Sequence, residues 1–133
     1  MSSNWLKSLG TAANRMPDDW TRYHDGFFTR AVTFPRRPAI ARGDGIAYYA
    51  TGIGLVFAVG SVTGYPYEVD ERWTAEYRWV VDVRLECTIE YIHDGIELEH
   101  LNVDGRDLRA SIKRRSHIRL SDAEFAAARR LLQ

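Results

Sequence analysis

The sequence contains one cysteine, no long apolar run and no regularly spaced set of histidines. A single cysteine, Cys87, excludes an intramolecular disulfide and a zinc site built from several cysteines, and it is consistent with a reducing cytoplasm. No apolar run reaches the length that spans a membrane. The first residues lack the basic and then apolar pattern of a signal peptide. We therefore expect a cytoplasmic protein that has no membrane partner.

The motifs of the common enzyme classes are also missing. The four histidines do not fall at metal-ligand spacing, and the sequence has neither a G-x-S-x-G elbow nor a P-loop. Cys87 falls on the apolar side of an alternating segment, which favours a packing role. The acid pairs Asp18-Asp19 and Asp70-Glu71 are interpreted as solvated loop residues, because neighbours along a chain point apart. We expect no catalytic activity, no cofactor and no metal.

Charge is spread unevenly along the chain. The 133 residues are 45% hydrophobic and 27% charged, which predicts one globular domain over residues 1–133. The formal net charge is zero, but residues 1–67 carry +3, residues 68–104 carry −8 and residues 105–133 carry +5. If the two basic ends meet in space, they form a positive face for an anionic partner. On charge alone, an ordinary solvated surface is the simpler interpretation.

Hydrophobic patterning indicates several antiparallel strands with two or three short helices. Residues 4–9 favour a first strand. Residues 45–50 and 55–62 favour a hairpin around the turn Thr51-Gly52-Ile53-Gly54. From Trp79 to Tyr91 a β-rich run alternates apolar and polar residues, as expected for a strand that buries one face. This combination of several strands and a few short helices is typical of a small closed or partly closed barrel with flanking helices.

The densest basic segment lies near the end of the chain. Lys113, Arg114, Arg115 and Arg119 place four cations within seven positions, and we interpret this segment as a basic strand. It leads into a helix predicted over residues 122–132. Ser121 and Glu124, just before and inside that helix, have the spacing of a capping box. The buried side of the helix is predicted to consist of Phe125, Ala128, Leu131 and Leu132.

The 16 aromatic residues supply candidate stacking groups. Several fall in predicted loops or at strand ends, among them Trp20 and Trp79, where a flat face is available to a nucleic-acid base. Core packing is the simpler role for most of them. Tyr48 and Tyr49 are expected to point to opposite faces of their strand. One of them must face the core, while the other is free for a pocket or an outer helix.

Four segments, in this order along the chain, together resemble a known family. They are Trp5-Leu6-Lys7-Ser8, the Gly43-Asp44 hairpin with Tyr48-Tyr49-Ala50-Thr51-Gly52, the strand Trp79-Val80-Val81-Asp82-Val83, and the closing stretch from Arg114 to Phe125. They resemble motifs of the EVE domain family, a member of the PUA-like superfamily related to the YTH and ASCH domains. Leu9-Gly10 stand in place of the family's Glu-Pro. The resemblance implies an α+β fold: a PUA-like mixed, mainly antiparallel β-barrel of five to six strands with short flanking helices.

The resemblance also implies a nucleic-acid-binding module that holds a modified base in an aromatic-lined pocket. By position, the family's pocket residues correspond to Lys7, Ser8, Tyr49, Thr51, Arg115 and Ser116. To these we add Trp20 and Trp79 as candidate stacking residues. The expected phosphate-binding residues are Arg36, Arg37, Lys113, Arg114 and Arg119. The partner is then DNA or RNA.

Three other functions fit the same residues. One is a small-molecule module for a nucleotide or modified nucleoside, in which the basic segment is only a solvated edge. The second is an ASCH-like enzyme acting on RNA or nucleotides, which would require a Lys-Tyr-Asp cluster inside the pocket. The third is a partner-binding domain of a defence or toxin system. A basic patch continuous with the pocket favours a polymer, whereas arginines placed elsewhere favour a small ligand.

Overall fold

The structure is a computed structural model that describes residues 2–69 and 78–133. Its strands are β1 (Asn4–Leu9), β2 (Ala31–Phe34), β3 (Gly45–Ala50), β4 (Leu55–Val62), β5 (Tyr67–Glu68), β6 (Trp79–Thr88), β7 (Ile96–Glu97) and β8 (His117–Leu120). The α-helices are α1 (Leu108–Ile112) and α2 (Asp122–Leu132). Helices of the 3-10 type span Trp20–Thr29, Ile92–Asp94 and Leu98–Leu101. The predicted acid pair Asp70-Glu71 lies outside the described residues.

The strands form a curled mixed sheet, a half-barrel in the order β2-β6-β4-β3-β1-β8. β5 pairs with β6, and β7 pairs with β4. β1 runs parallel to β3 and antiparallel to β8, so the first strand lies between the middle and the end of the chain. The predicted α+β class, with a mainly antiparallel, barrel-like sheet and short helices, is confirmed at this level.

The central hairpin has the predicted bounds, because β3 and β4 begin and end where the apolar runs do. β4 bulges against β6 between Val59 and Gly60. A Cβ atom on Gly60 would lie 2.3 Å from the Arg84 carbonyl oxygen, so only glycine permits this approach. β6 ends at Thr88, earlier than predicted. The Ile89 N–H still bonds the Phe57 carbonyl of β4, but the Ile89 carbonyl accepts from the Trp20 indole.

Asp44 ties the start of this hairpin to β1. Its buried carboxylate accepts hydrogen bonds from the Trp5 indole Nε1 at 2.8 Å and from the backbone N–H groups of Ser3 and Ala41 at 3.0 Å. Three donors satisfy an acid that would otherwise be costly to bury. The Gly-Asp dipeptide therefore acts as an anchor for the first strand.

The sheet separates two apolar clusters. Trp20, Phe34, Tyr48 and Phe57 belong to the first. The second contains Tyr49 together with residues of α1 and α2. Tyr48 and Tyr49 therefore point to opposite faces, as the strand pattern predicted, and both are buried. None of the helices within residues 2–69 and 78–133 combines the length and apolarity needed to cross a bilayer.

Helix α2 has the predicted capping box. The Ser121 hydroxyl accepts from the Glu124 N–H at 3.0 Å, and the Glu124 carboxylate accepts from the Ser121 N–H at 2.7 Å. Phe125, Ala128 and Leu132 are buried as expected. The prediction for Leu131 was wrong, because in the last turn of the helix Leu132 packs on the second cluster while Leu131 is 42% exposed.

The predicted basic strand is instead a turn. Helix α1 ends at Ile112, and β8 begins only at His117. Between them the Arg115 N–H bonds back to the Ile112 carbonyl at 2.9 Å, while Arg114 adopts a left-handed backbone with φ of 62°. A chain that bonds back on itself in this way cannot pair with a neighbouring strand. Lys113, Arg114 and Arg115, here called the basic turn, are therefore exposed between α1 and β8.

Glu124 is the most deeply buried acid that the structure describes, with a fully buried side chain. Burial acts to raise its pKa, but hydrogen bonds from Arg106 and Ser121 outweigh that effect, and the net pKa lies below its ordinary value. Arg106 donates from Nε and Nη2 at 2.9 and 2.8 Å. Arg106 Nη2 also bonds the Arg119 carbonyl, so the pair joins α2 to β8.

Replacing Arg106 with Met should lower the free energy of unfolding by about 2–3 kcal/mol, because it leaves a buried carboxylate without its charged donors. Chemical denaturation at pH 7 measures the loss. Arg130→Met, at an exposed position of α2, is the matched control and should stay within about 0.5 kcal/mol of the wild type. Equal losses in the two variants would contradict the assigned role of Arg106.

Candidate ligand-binding cleft

A cleft of about 1320 Å³ opens at the C-terminal ends of β1 and β3. Its walls come from the end of β1 and the loop after it, the 3-10 segment Trp20–Thr29, the β3–β4 turn, α1 and the basic turn. These strands are parallel neighbours, so their C-terminal ends meet at one edge of the sheet. The cleft is larger than the usual pocket for one small molecule.

All six residues assigned to the pocket by the resemblance line this cleft. Lys7 and Ser8 come from β1, Tyr49 and Thr51 from the end of β3 and its turn, and Arg115 and Ser116 from the segment before β8. Lys113 and Arg114 also line it. Residues more than 100 positions apart thus share one cavity because β1 pairs with both β3 and β8.

Neither predicted tryptophan lines the cleft. Trp20 is fully buried in the first apolar cluster, where its ring meets the Tyr48 and Phe57 rings and its Nε1 donates to the Ile89 carbonyl at 2.8 Å. Trp79 packs against the same cluster and carries the Arg37 guanidinium 5.5 Å from its ring centroid. The assignment of both residues to the pocket is corrected, because each indole is used in packing.

Three of the predicted phosphate-binding arginines lie off the cleft. Arg36 and Arg37 are exposed in the loop after β2, beyond Pro35, which is the residue of that loop nearest the cavity. Arg119 points away from the cleft on β8 and packs 5.0 Å from the centroid of the Trp5 ring. Cross-strand pairing explains this, because Arg119 lies opposite Trp5 near the start of β1, whereas the cleft opens at the end of β1.

Lys7 is a buried amine in the cleft lining. Its side chain is 3% exposed, and its Nζ lies 4.4 Å from the centroid of the Phe34 ring. Among the residues that the structure describes, no carboxylate forms an ion pair with it. Burial lowers the pKa of Lys7 from 10.5 to about 7. Near neutral pH this amine is therefore poised between its charged and neutral forms.

The two strand neighbours of Lys7 are uncharged at neutral pH. His117, its partner on β8, has its pKa lowered to about 4 by burial and by the charge of Lys7. The His117 Nδ1 lies 2.6 Å from the Ser116 hydroxyl. Tyr48, its partner on β3, has its pKa raised by burial and donates its hydroxyl to the Phe28 carbonyl at 2.7 Å.

Ser8 holds the basic turn against β1. Its N–H bonds the Ser116 carbonyl at 2.9 Å, and its hydroxyl donates to the carbonyls of Arg115 and Ser116, both at 3.0 Å. The backbone of the turn is thus fixed at the rim, while the side chains of Lys113, Arg114 and Arg115 remain exposed. A fixed backbone with exposed cationic side chains suits contact with a phosphate chain.

Two glycines of the β3–β4 turn make room for two further arginines. Gly54 has φ of +86°, and a Cβ there would lie 2.6 Å from Arg109 Nη1. Gly52 has φ of +79°, and a Cβ there would lie 2.9 Å from Arg15 Nε. Both positions therefore favour glycine for backbone geometry, because each has a positive φ. Arg109 and Arg15 both line the cleft.

Arg109 connects the cleft to a surface ion pair. Its Nη1 donates to the Tyr49 hydroxyl at 3.4 Å, and its Nε and Nη2 bond Glu99 at 2.5 and 2.9 Å. The hydrogen bond from Arg109 lowers the pKa of Glu99 to about 2. The guanidinium is thereby held beside the Tyr49 hydroxyl, which orients both groups at the cavity wall.

Tyr23 and Phe28 supply an aromatic part of the cleft lining. Their rings are stacked, 6.2 Å apart with an interplanar angle of 12°. The left-handed backbone at His24, Asp25 and Gly26 reverses the chain between them. Tyr23 is 39% exposed, so part of its ring is accessible. The sequence offers a signal for Tyr23 and Phe28, because they are aromatic residues in a predicted loop. No sequence motif contains Arg15 or Arg109.

The lining is strongly cationic. It contains six lysine and arginine side chains, from Lys7, Arg15, Arg109, Lys113, Arg114 and Arg115, against one carboxylate, that of Asp107. Asp107 caps α1 by accepting from the Ala110 N–H at 3.2 Å. Among the described residues no cluster of three or more His, Cys, Asp or Glu side chains is arranged to hold a metal. The field of this cleft favours an anionic ligand.

Comparison with known proteins shows a shared fold. A scan against protein-family models and a search of curated proteins found no match. Among solved structures, the chain is similar to Atu2648 from Agrobacterium tumefaciens (TM-score 0.64, 18% identity, covering 98% of this chain and 92% of that one). It is also similar to a hypothetical protein from Leishmania major (TM-score 0.63, 15% identity, covering 98% of this chain and 94% of that one). A third similar structure is Rpa0253 from Rhodopseudomonas palustris (TM-score 0.62, 13% identity, covering 98% of this chain and 92% of that one). The likeness spans nearly the whole length of each chain.

Replacing Lys7 with Met should stabilise the protein by a few kcal/mol at and below pH 7. Between pH 7 and 10.5 the folded chain binds fewer protons at Lys7 than the unfolded chain. The penalty of burying the amine is therefore complete below pH 7 and disappears as the pH rises towards 10.5. Unfolding free energies measured across this range should converge for the two proteins. Lys113→Met, at an exposed position of the same cleft, should show no such trend.

Proposed function

We propose that this protein is a non-catalytic nucleic-acid-binding domain of the PUA-like, EVE-related type, which holds an exposed base in the cleft. The proposal is carried by one observation: the basic turn and the aromatic residues Tyr23, Phe28 and Tyr49 line the same cavity. A basic patch that runs into an aromatic-lined cavity is the arrangement expected for a strand that inserts one base.

The two parts of the cleft would act on different parts of the ligand. Lys113, Arg114 and Arg115 are exposed and would contact backbone phosphates, which gives affinity without sequence preference. The accessible ring of Tyr23 would stack on the base, and the Tyr49–Arg109 pair would border its polar edge. A cavity of about 1320 Å³ leaves room for a modified base together with part of its sugar and phosphate.

The remaining candidate functions are less well supported by this geometry. A small ligand alone does not require exposed cations along the rim. An ASCH-like enzyme would require a Lys-Tyr-Asp cluster, and the lining does contain Lys7, Tyr49 and Asp107. However, the Tyr49 hydroxyl bonds Arg109 and the Asp107 carboxylate caps α1, so both polar groups have structural partners. Recognition of a base within a nucleic-acid strand is the function that would use both the basic turn and the aromatic part of the cleft.

Replacing both Arg114 and Arg115 with Ala should weaken binding to single-stranded oligonucleotides uniformly across sequences. Removing two phosphate contacts should flatten the slope of log affinity against log salt by about 1.4. Fluorescence anisotropy at several salt concentrations, with unmodified and base-modified DNA and RNA, measures both effects. Arg36→Ala with Arg37→Ala reports on the off-cleft arginines. Undetectable binding of the wild type to every oligonucleotide at low salt would refute the proposed function.

Replacing Tyr23 with Ala should reduce affinity by about 5- to 150-fold, since one base–aromatic stack contributes roughly 1–3 kcal/mol. The salt slope should stay unchanged, because no charge is removed. Tyr65→Ala is the matched control, since Tyr65 is 65% exposed and does not line the cleft. Tyr23→Phe should keep most of the affinity. If the two Ala variants bind alike, Tyr23 is not a stacking residue.

A further inference from the structure

The exposed cations of the cleft lining fall into two groups on opposite sides of the end of β1. In the sheet, β1 lies between β3 and β8. On the β8 side, the Ser8 N–H bonds the Ser116 carbonyl, which places the basic turn there. On the β3 side, the Thr51 N–H bonds the Leu9 carbonyl at 3.0 Å, so the β3–β4 turn lies beside the same strand end. The two flanks are two strand spacings apart, about 9–10 Å.

Arg15 supplies the positive charge on the β3 side of the cleft. A Cβ on Gly52 would lie 3.4 Å from the Arg15 Cγ and 2.9 Å from its Nε, so this side chain crosses the β3–β4 turn. Arg15 is exposed, and no carboxylate of the described residues forms an ion pair with it. Arg109 lies beside the same turn, but Glu99 already balances its charge through two hydrogen bonds. The uncompensated charge of this flank is therefore that of Arg15.

The lining between the two flanks carries no charge of its own. Residues 9–11, at the end of β1 and in the loop after it, line the cleft, and none of them is ionisable. Asp107, the one carboxylate that the described residues contribute to the lining, caps α1. Two cationic positions on either side of a neutral strand end match a ligand that carries two separate anionic groups.

We propose that Arg15 is a second phosphate contact, so that the cleft holds a nucleotide by the phosphates on both sides of its sugar. One phosphate would meet the basic turn and the other would meet Arg15, while the base enters the aromatic part of the lining. The cleft would thus prefer a nucleotide inside a strand, which has a phosphate on each side, to a nucleotide with one phosphate. This inference rests on the proposed function and names the part of the strand that is bound.

Replacing Arg15 with Gln should remove one phosphate contact from single-stranded oligonucleotides. The slope of log affinity against log salt should flatten by about 0.7. This change should add to that of the double variant Arg114→Ala with Arg115→Ala, because the contacts lie on separate flanks. Arg42→Gln is the matched control, since Arg42 is exposed, precedes β3 at the other end of that strand and does not line the cleft. Fluorescence anisotropy at several salt concentrations measures the slopes.

Titration calorimetry with small nucleotides tests the need for two phosphates without a polymer. The probes are the 5′-monophosphate, the 3′-monophosphate and the 3′,5′-bisphosphate of adenosine and of uridine. The wild type should bind a bisphosphate about tenfold more tightly than either monophosphate, because hydrogen bonds between charged groups are strong. Arg15→Gln should weaken the binding of one monophosphate, and the double variant of the basic turn should weaken the binding of the other. Both changes should weaken the binding of the bisphosphate.

The outcomes separate the role of Arg15 from the proposed function. If oligonucleotides bind and Arg15→Gln behaves like Arg42→Gln, the inference is wrong and the proposed function stands. If both changes weaken the same monophosphate, the two flanks share one phosphate and the inference is again wrong. Binding of a bisphosphate that depends on both flanks, without binding of any oligonucleotide, would support the Arg15 contact and overturn the proposed function. If no probe binds at low salt, both proposals are wrong. Arg15→Gln should keep the wild-type circular dichroism spectrum, because Arg15 is exposed.

Discussion

The pairing of β1 with both β3 and β8 is the constraint on which the cleft depends. It joins the start of the chain to its centre and its end. Asp44 secures one end of β1 through the Trp5 indole, and Ser8 secures the other through the carbonyls before β8. Without these contacts, the basic turn would have no fixed position relative to Tyr49 and Thr51. The site is therefore a product of strand order.

The fold treats two buried ionisable groups differently. Glu124 is completely buried but receives donors from Arg106 and its own helix cap, so its charge strengthens the junction of α2 and β8. Lys7 is nearly as buried and has only an aromatic ring as a neighbour of opposite polarity. The first arrangement is self-sufficient. The second is costly, and it lies in the lining of the cleft.

Local patterns in the sequence predicted much of the secondary structure and part of the site. The β3–β4 hairpin, the opposed faces of Tyr48 and Tyr49, and the capping box of α2 all follow from interactions within a few residues. The resemblance to known motifs brought together six positions that do share one cavity. Local reasoning failed for the basic turn, where a single backbone bond from Arg115 to Ile112 replaces a strand, and for Trp20, whose burial depends on residues far along the chain.

By itself, the sequence determined the element types, the alternation of strand faces and the concentration of positive charge near the end, since these depend on neighbouring residues. Only the tertiary structure decided which charges face the cleft. Arg15 and Arg109 line it beside Gly52 and Gly54 of the β3–β4 turn, whereas Arg119 pairs across the sheet with Trp5, away from the cleft. It also decided the protonation of Lys7, because the pKa of an amine falls when packing excludes water and places no carboxylate beside it.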